Sequence, residues 1–245
     1  MKVLTLNTWQ ERGPWKERWS ITFSGIKQFL PDIACFQELF NGDWTETVKK
    51  ETAFKNFIFP KEPCGLVLYT NYDVKSFGVV TLTKSPLEDY FRYALWVELG
   101  VKGKKLFVFN THLSWMPEDG TSRKKQTEEL LQLIEKKAGS EEILLMGDLN
   151  APPDSPEIST LIKQGKFRDL FSEKQPKEPG FTWDNKNPYA GGAFHKLPNR
   201  RIDFILARNT GPLLKHLISC DRVFTEPDPK GIWASDHFGL LTELE

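Results

Sequence analysis

Cysteine, methionine and histidine are scarce in this chain of 245 residues, at three, three and four. Cys35, Cys64 and Cys220 are odd in number and form no CxxC pair, which argues against a disulfide framework or a thiolate zinc site and fits a reducing compartment. No apolar run approaches the ~20 residues of a membrane span, and the opening Met1–Leu6 is too short for a signal peptide. The expectation is a cytoplasmic protein without membrane insertion. Neither sign of charge is in excess, since Lys+Arg and Asp+Glu each number 33. Without a global positive field, any contact with a phosphate backbone falls to a local basic rim. Gly/Ser linkers, low-complexity tracts and repeats are missing too. Residues 1–245 therefore read as a single domain, expected to be monomeric.

What the chain does have is a series of short apolar runs that end in polar motifs. Val3–Leu6 reads as a buried strand ending at Asn7-Thr8-Trp9. A helix follows behind Pro14, with Trp19, Phe23, Ile26 and Leu30 on one face and Pro31 as its stop. Ile33–Phe36 delivers Gln37-Glu38, and residues 43–53 form a weaker helix. From Phe54 to Leu113 the texture is β, with a hairpin turn at Gly100–Lys104 and a strand at Leu106–Phe109 leading into Asn110-Thr111-His112-Leu113. A helix over 121–138 precedes the strand Ile143–Met146, which runs into Gly147-Asp148-Leu149-Asn150. Ser155-Pro156 caps a further short helix, and strands are predicted near 202–207, 214–224 and 238–243. If the strands share a sheet or two facing sheets, their polar ends converge on one edge.

Those ends carry the side chains that phosphodiester hydrolysis needs. The reaction requires a cation against the anionic oxygens, a base for water and stabilisation of the departing alkoxide. Asn7, Glu38, Asp148, Asn150, Asp203 and Asp236 supply oxygen donors suited to Mg²⁺, and His112 and His237 supply imidazoles. Taken singly, each is better explained as a turn or cap residue. His195 and His216 have no motif nearby and read as surface or loop residues.

Taken together, six segments resemble the endonuclease/exonuclease/phosphatase superfamily, in its order and across nearly the whole chain. They are Leu6-Asn7-Thr8-Trp9, Gln37-Glu38, Asn110-Thr111-His112-Leu113, Gly147-Asp148-Leu149-Asn150, Arg201–Leu206 and Ser235-Asp236-His237. The resemblance implies an α/β fold, a four-layer α-β-β-α sandwich of two mostly antiparallel sheets packed face to face with helices outside. It implies metal-assisted water attack on a phosphodiester of a nucleic acid or nucleotide-like substrate, with Mg²⁺ as cofactor and Mn²⁺ as a substitute. Glu38, Asn7 and Asp236 would hold the metal. Asp148 would orient or deprotonate the water, and Asn150 would hold a phosphate oxygen. His237, oriented and kept charged by Asp203, would stabilise the transition state, and His112 would assist the leaving group or bind phosphate. Asn110, Trp183 and Arg201 are the expected substrate contacts.

The branch is less determined. Asn-Thr-His-Leu is similar to deoxyribonucleases, sphingomyelinases and deadenylases, and argues against abasic-site endonucleases. Arg201-Ile202-Asp203 argues against inositol polyphosphate 5-phosphatases. Thr182-Trp183-Asp184 resembles tyrosyl-DNA phosphodiesterases, whereas Gly-Asp-Leu-Asn lacks the Thr of that branch. A phospholipid or small organic phosphoester, or an inactive scaffold of the same fold, are the alternatives. Trp9, Trp115, Trp183 and Trp233 lie beside motifs and either wall the cleft or pack the core. Lys196, Arg200 and Arg201 form a basic cluster at the cleft mouth or on a solvated loop, and Arg92 is a further cation without an assigned role.

Overall fold

The computed structural model describes residues 1–191, 197–208 and 211–245. Its strands form two six-stranded sheets. The first runs β11 (Leu217–Val223), β12 (Gly239–Leu244), β1 (Lys2–Asn7), β2 (Ile33–Gln37), β4 (Val67–Thr70), β3 (Asn56–Ile58). The second runs β5 (Asp73–Thr81), β6 (Tyr93–Val101), β7 (Lys104–His112), β8 (Glu142–Asp148), β10 (Asp203–Arg208), β9 (Arg168–Asp169). Only β1–β2 and β7–β8 pair in parallel. Every other neighbouring pair is antiparallel.

Alternation along the strands builds the layers, because successive side chains point to opposite faces. Val3, Ile33 and Cys35 of the first sheet share one core with Val108, Leu144, Met146 and Ile205 of the second. The residues between them face outward. Leu4, Ala34 and Phe36 pack under α1 (Trp15–Phe29) and α2 (Asp43–Glu51). Phe107, Phe109, Ile143, Leu145 and Phe204 pack under α3 (Gly120–Ala138) and α4 (Pro156–Lys163). The order helix, sheet, sheet, helix is the expected four-layer sandwich. Two short helices, α5 (Leu170–Lys174) and α6 (Pro188–Gly191), complete the described elements.

Local chemistry sets the element ends. Ser155 accepts a hydrogen bond from the Ile158 amide and Pro156 occupies the first turn of α4, where its missing N–H costs nothing. Lys102 and Gly103, with φ of 50° and 78°, form the tight turn between β6 and β7. One expected core residue moves outward. Leu30 is not on the buried face of α1 but at its C-cap, left-handed at φ 51° and 64% exposed. Pro31 ends the helix one residue sooner than apolar spacing alone suggested. No helix among the described residues is long and apolar enough to cross a membrane.

Candidate active site

The layer between the sheets is apolar until its strands end, and there it becomes polar. Counting by twos from Val3, Ile33, Leu106 and Leu144 reaches Asn7, Gln37, Asn110, His112 and Asp148, which therefore face inward. Register then aligns these ends: Asn7 is opposite Gln37, His112 opposite Asp148, and Asp148 opposite Asp203 at the start of β10. The loop before β12 brings Ser235, Asp236 and His237 to the same edge, tied down by Ser235 Oγ, 2.6 Å from the Asn7 carbonyl oxygen. Gly147 permits the close approach of β7 and β8. At its φ of 136° an added Cβ would lie 2.0 Å from the Thr111 carbonyl oxygen.

A cavity of about 460 Å³ opens over this edge, lined by Asn7, Glu38, His112, Asp148, Asn150, Asp236 and His237 among others. Asp148 is its hub. Its Oδ2 accepts from Asn7 Nδ2 at 3.0 Å and lies 3.3 Å from His112 Nε2 and 3.8 Å from His237 Nε2. Its Oδ1 accepts from the Asn150 amide at 2.9 Å. Asn7 in turn accepts from the Trp9 amide at 3.0 Å, which fixes its amide orientation. Asn150 adopts φ 48° and donates Nδ2 to the Leu113 carbonyl at 3.0 Å. His237 Nδ1 is 2.8 Å from Asp203 Oδ2, and Asp203 Oδ1 has no partner among the described residues. Thr182 accepts from the Asp203 amide at 3.2 Å, and its neighbour Trp183 meets the His237 ring edge-on at 5.1 Å.

The two imidazoles facing Asp148 differ in charge. Burial, with Arg92 and His237 nearby, drives His112 well below the usual imidazole range, so it is neutral. Burial also opposes charge on His237, but Asp203, Asp148 and Asp236 together outweigh it and raise the group to about 10. Burial, reinforced by the Asp203 carboxylate, lifts Asp148 to about 6. Asp236 is pushed up to about 7, chiefly by burial and further by Glu38.

Two groups of side chains at this edge carry atoms able to ligate a cation. Asp148, Asp203 and His237 place ligand atoms within 4.8 Å of one another. The 2.8 Å contact of His237 with Asp203 is a hydrogen bond that engages both atoms, which suits this trio to proton handling instead. Glu38, Asp236 and Asn7 fit a hard divalent ion better. All offer oxygen, and Glu38 has no hydrogen bond or ion pair with a described residue. The mutual repulsion of Glu38 and Asp236 is what a cation between two carboxylates relieves.

Two expected substrate contacts are corrected. Asn110 lies one alternation deeper than His112, fully buried between the sheets. It donates to the Phe36 and Val67 carbonyls at 3.0 and 2.9 Å and accepts from Gln37 Nε2 at 2.8 Å, stapling sheet to sheet. Arg201 is also buried, bonded through both Nη atoms to Asp169 at 3.0 and 2.7 Å and stacked over Phe204. Arg200 takes the place expected of it. It lines the cavity, its guanidinium carbon lies 5.6 Å from the Trp183 ring centre, and its Nε has no partner among the described residues. Trp9, Trp115 and Trp183 line the cavity, whereas Trp233 packs on Phe238. His216 is exposed, as expected; His195 and Lys196 lie outside the described residues.

Sequence reasoning missed Arg18 and the segment Leu87–Tyr90. Arg18 is buried in α1 and donates to five carbonyls, those of Thr8, Trp9, Gln10, Arg12 and Ala234. It thereby joins the loop after β1 to the loop that carries Asp236. An arginine inside a helix that also holds Trp19, Phe23 and Ile26 was the only available signal. Leu87–Tyr90 forms a cavity wall, held where Glu88 pairs with Arg92 at 2.8 Å and accepts from the Trp115 amide at 2.7 Å.

Comparison with known proteins places this geometry. The fold matches TDP2 from D. rerio complexed with single strand DNA product at a TM-score of 0.83, with 18% identity over 100% of this chain and 98% of the other. It matches the human Nocturnin catalytic domain with bound sulfate anion at 0.74, with 20% identity over 100% and 94%. In sequence, Nocturnin of Drosophila melanogaster is 24% identical over 177 residues, 62% of this chain but only 27% of that relative's length. The profile of the Endonuclease/Exonuclease/phosphatase family matches residues 4–237, so nearly the whole sandwich, from β1 to His237, is accounted for, and the chain belongs to that family.

Proposed function

We propose that residues 1–245 form one monomeric, Mg²⁺-dependent phosphodiesterase domain acting on a nucleic acid or nucleotide-like ester. The observation that carries this reading is the pair of imidazoles facing Asp148: His237, backed by Asp203 at 2.8 Å, and His112 at 3.3 Å. The single strand DNA product in the D. rerio TDP2 structure supports the substrate class.

Glu38, Asp236 and Asn7 would hold the ion, which when bound neutralises phosphate charge and polarises the phosphoryl group. The protein's own groups do the rest. Asp148, near pH 6 and fixed by Asn7 and the Asn150 amide, accepts a proton from water in the cavity. His237 presents its Nε2–H to the oxygen on which charge grows, and Asp203 holds its Nδ1 proton. Neutral His112 gives a second hydrogen bond without adding charge. Arg200 reaches a non-bridging oxygen from the Trp183 side.

Hydrolysis of bis-p-nitrophenyl phosphate with Mg²⁺ or Mn²⁺, and its abolition by EDTA, tests the reading. A folded protein with no metal-dependent turnover on this ester or on single-stranded DNA, RNA, 5′-phosphotyrosyl DNA and sphingomyelin would overturn it. A strong preference for sphingomyelin would move it to the lipid branch.

A further inference from the structure

The catalytic cavity has a second arm. A cavity of about 580 Å³ shares Gln10, Arg12, Glu38, Tyr90 and His112 with the catalytic one and is further lined by Phe40 and Phe91. Of the seven exposed large hydrophobic side chains among the described residues, four (Phe40, Leu87, Tyr90 and Phe91) line one or other of these two cavities. Such concentration of apolar surface in water marks a binding face.

Each ring has neighbours on one side and stays about half exposed. Phe40 is 53% exposed yet packs against Gly65, where an added Cβ would lie 2.6 Å from the ring. The Tyr90 hydroxyl accepts from Arg92 Nη2 at 3.2 Å, and the Arg92 guanidinium lies 4.9 Å from the Tyr90 ring centre. Lys84 Nζ is 5.8 Å from the centre of Phe91. Two exposed cations complete the arm: Arg12 lines both cavities and Lys84 lies over Phe91. Fixed aromatic faces with flanking cations suit planar bases on an anionic backbone, since stacking is insensitive to base identity. A lipid chain would use the apolar surface but not the interspersed cations.

We propose that this arm is a stacking subsite for unpaired nucleobases adjoining the scissile phosphodiester, so that the substrate is single-stranded nucleic acid. The inference rests on the phosphodiesterase reading and is separable from it. Phe40→Ala, Phe91→Ala and their combination would be compared with the unaltered protein on bis-p-nitrophenyl phosphate and on oligothymidylates from the dinucleotide upward. The expected result is a kcat/KM that rises with oligonucleotide length and falls about tenfold per alanine on the longer substrates. Turnover of bis-p-nitrophenyl phosphate should stay within about twofold, and Phe91→Trp should restore the oligonucleotide rate, as stacking predicts. Equal losses on both substrates, or no dependence on length, would overturn the subsite while leaving the phosphodiesterase intact. Fluorescence anisotropy of labelled oligothymidylate gives an independent readout if turnover is absent. A Kd unchanged in the double variant, or loss only of phosphatidylcholine-vesicle binding, would also overturn it.

Discussion

The middle of the inter-sheet layer and its open edge are built by the same strands and the same alternation, yet they hold opposite chemistry. In the middle, Val108, Leu144, Met146 and Ile205 are wholly buried among apolar neighbours. One alternation past Met146 on β8 stands Asp148, nearly as inaccessible but hydrogen-bonded on both oxygens. A buried carboxylate is tolerable only with such partners, and only the edge, where strands end and loops fold over, can supply them. Packing stabilises the middle; at the edge, stability yields to a set of coupled charges.

The largest effect expected from breaking that contrast is at the edge. His237→Ala should lower turnover by about 10²–10⁴, and a loss below fivefold in steady-state kinetics would remove His237 from the chemistry. In the middle, Leu144→Ala should cost about 2–5 kcal/mol in urea unfolding while leaving kcat per folded molecule unchanged. A kcat falling as steeply as for His237→Ala would show that the two regions are not separable. Glu38→Gln should raise the Mg²⁺ concentration for half-maximal rate about 10–100-fold; an unaltered metal titration would refute its ligand role. Arg200→Ala should raise KM, about tenfold if it loses a charge-assisted phosphate contact. Arg201→Ala should lower Tm instead, and the reverse pattern would restore the arginine favoured by the sequence.

The smallest effect is a pH dependence of the metal-free protein. Because the folded-state value of His237 is raised above its ordinary one, to about 10, its stabilisation is complete below pH ~6.5 and is lost as pH rises towards ~10. Asp148 and Asp236, also raised, shift stability in the same direction at lower pH, from about 4 to 6 and 7. The decline of Tm above pH 7 in EDTA thus reports mainly on His237. It should flatten in Asp203→Asn, and an equally steep decline there would separate the pair.

Much of the site was legible because its residues sit where apolar periodicity stops. Asn7, His112 and Asp148 are the last residues of their strands, Glu38 follows one and Asp236 precedes one, and the structure gathers all five around one cavity. Asn110 was misread because it belongs to the same motif as His112. Motif membership does not say which residue lies deep enough to meet the opposite sheet. Arg200 and Arg201 read in the sequence as parts of one basic cluster, but neighbouring side chains point apart, and only Asp169, 32 positions upstream, shows that Arg201 is the one engaged. Leu87–Tyr90 carries no periodicity, so its place in the wall could come only from the Glu88, Arg92 and Trp115 contacts.

The sequence by itself determined the strands, the inward parity of their side chains and the chemical kinds of group at their ends, since these follow from local sterics and a period of two. Tertiary structure decided which ends meet, which histidine is charged, which arginine faces the cavity and where the second arm runs. Those outcomes depend on strand order and on partners far away in the chain. The Coulomb and desolvation energies that separate His112 from His237 are set by distances of a few ångströms, and such distances exist only after folding.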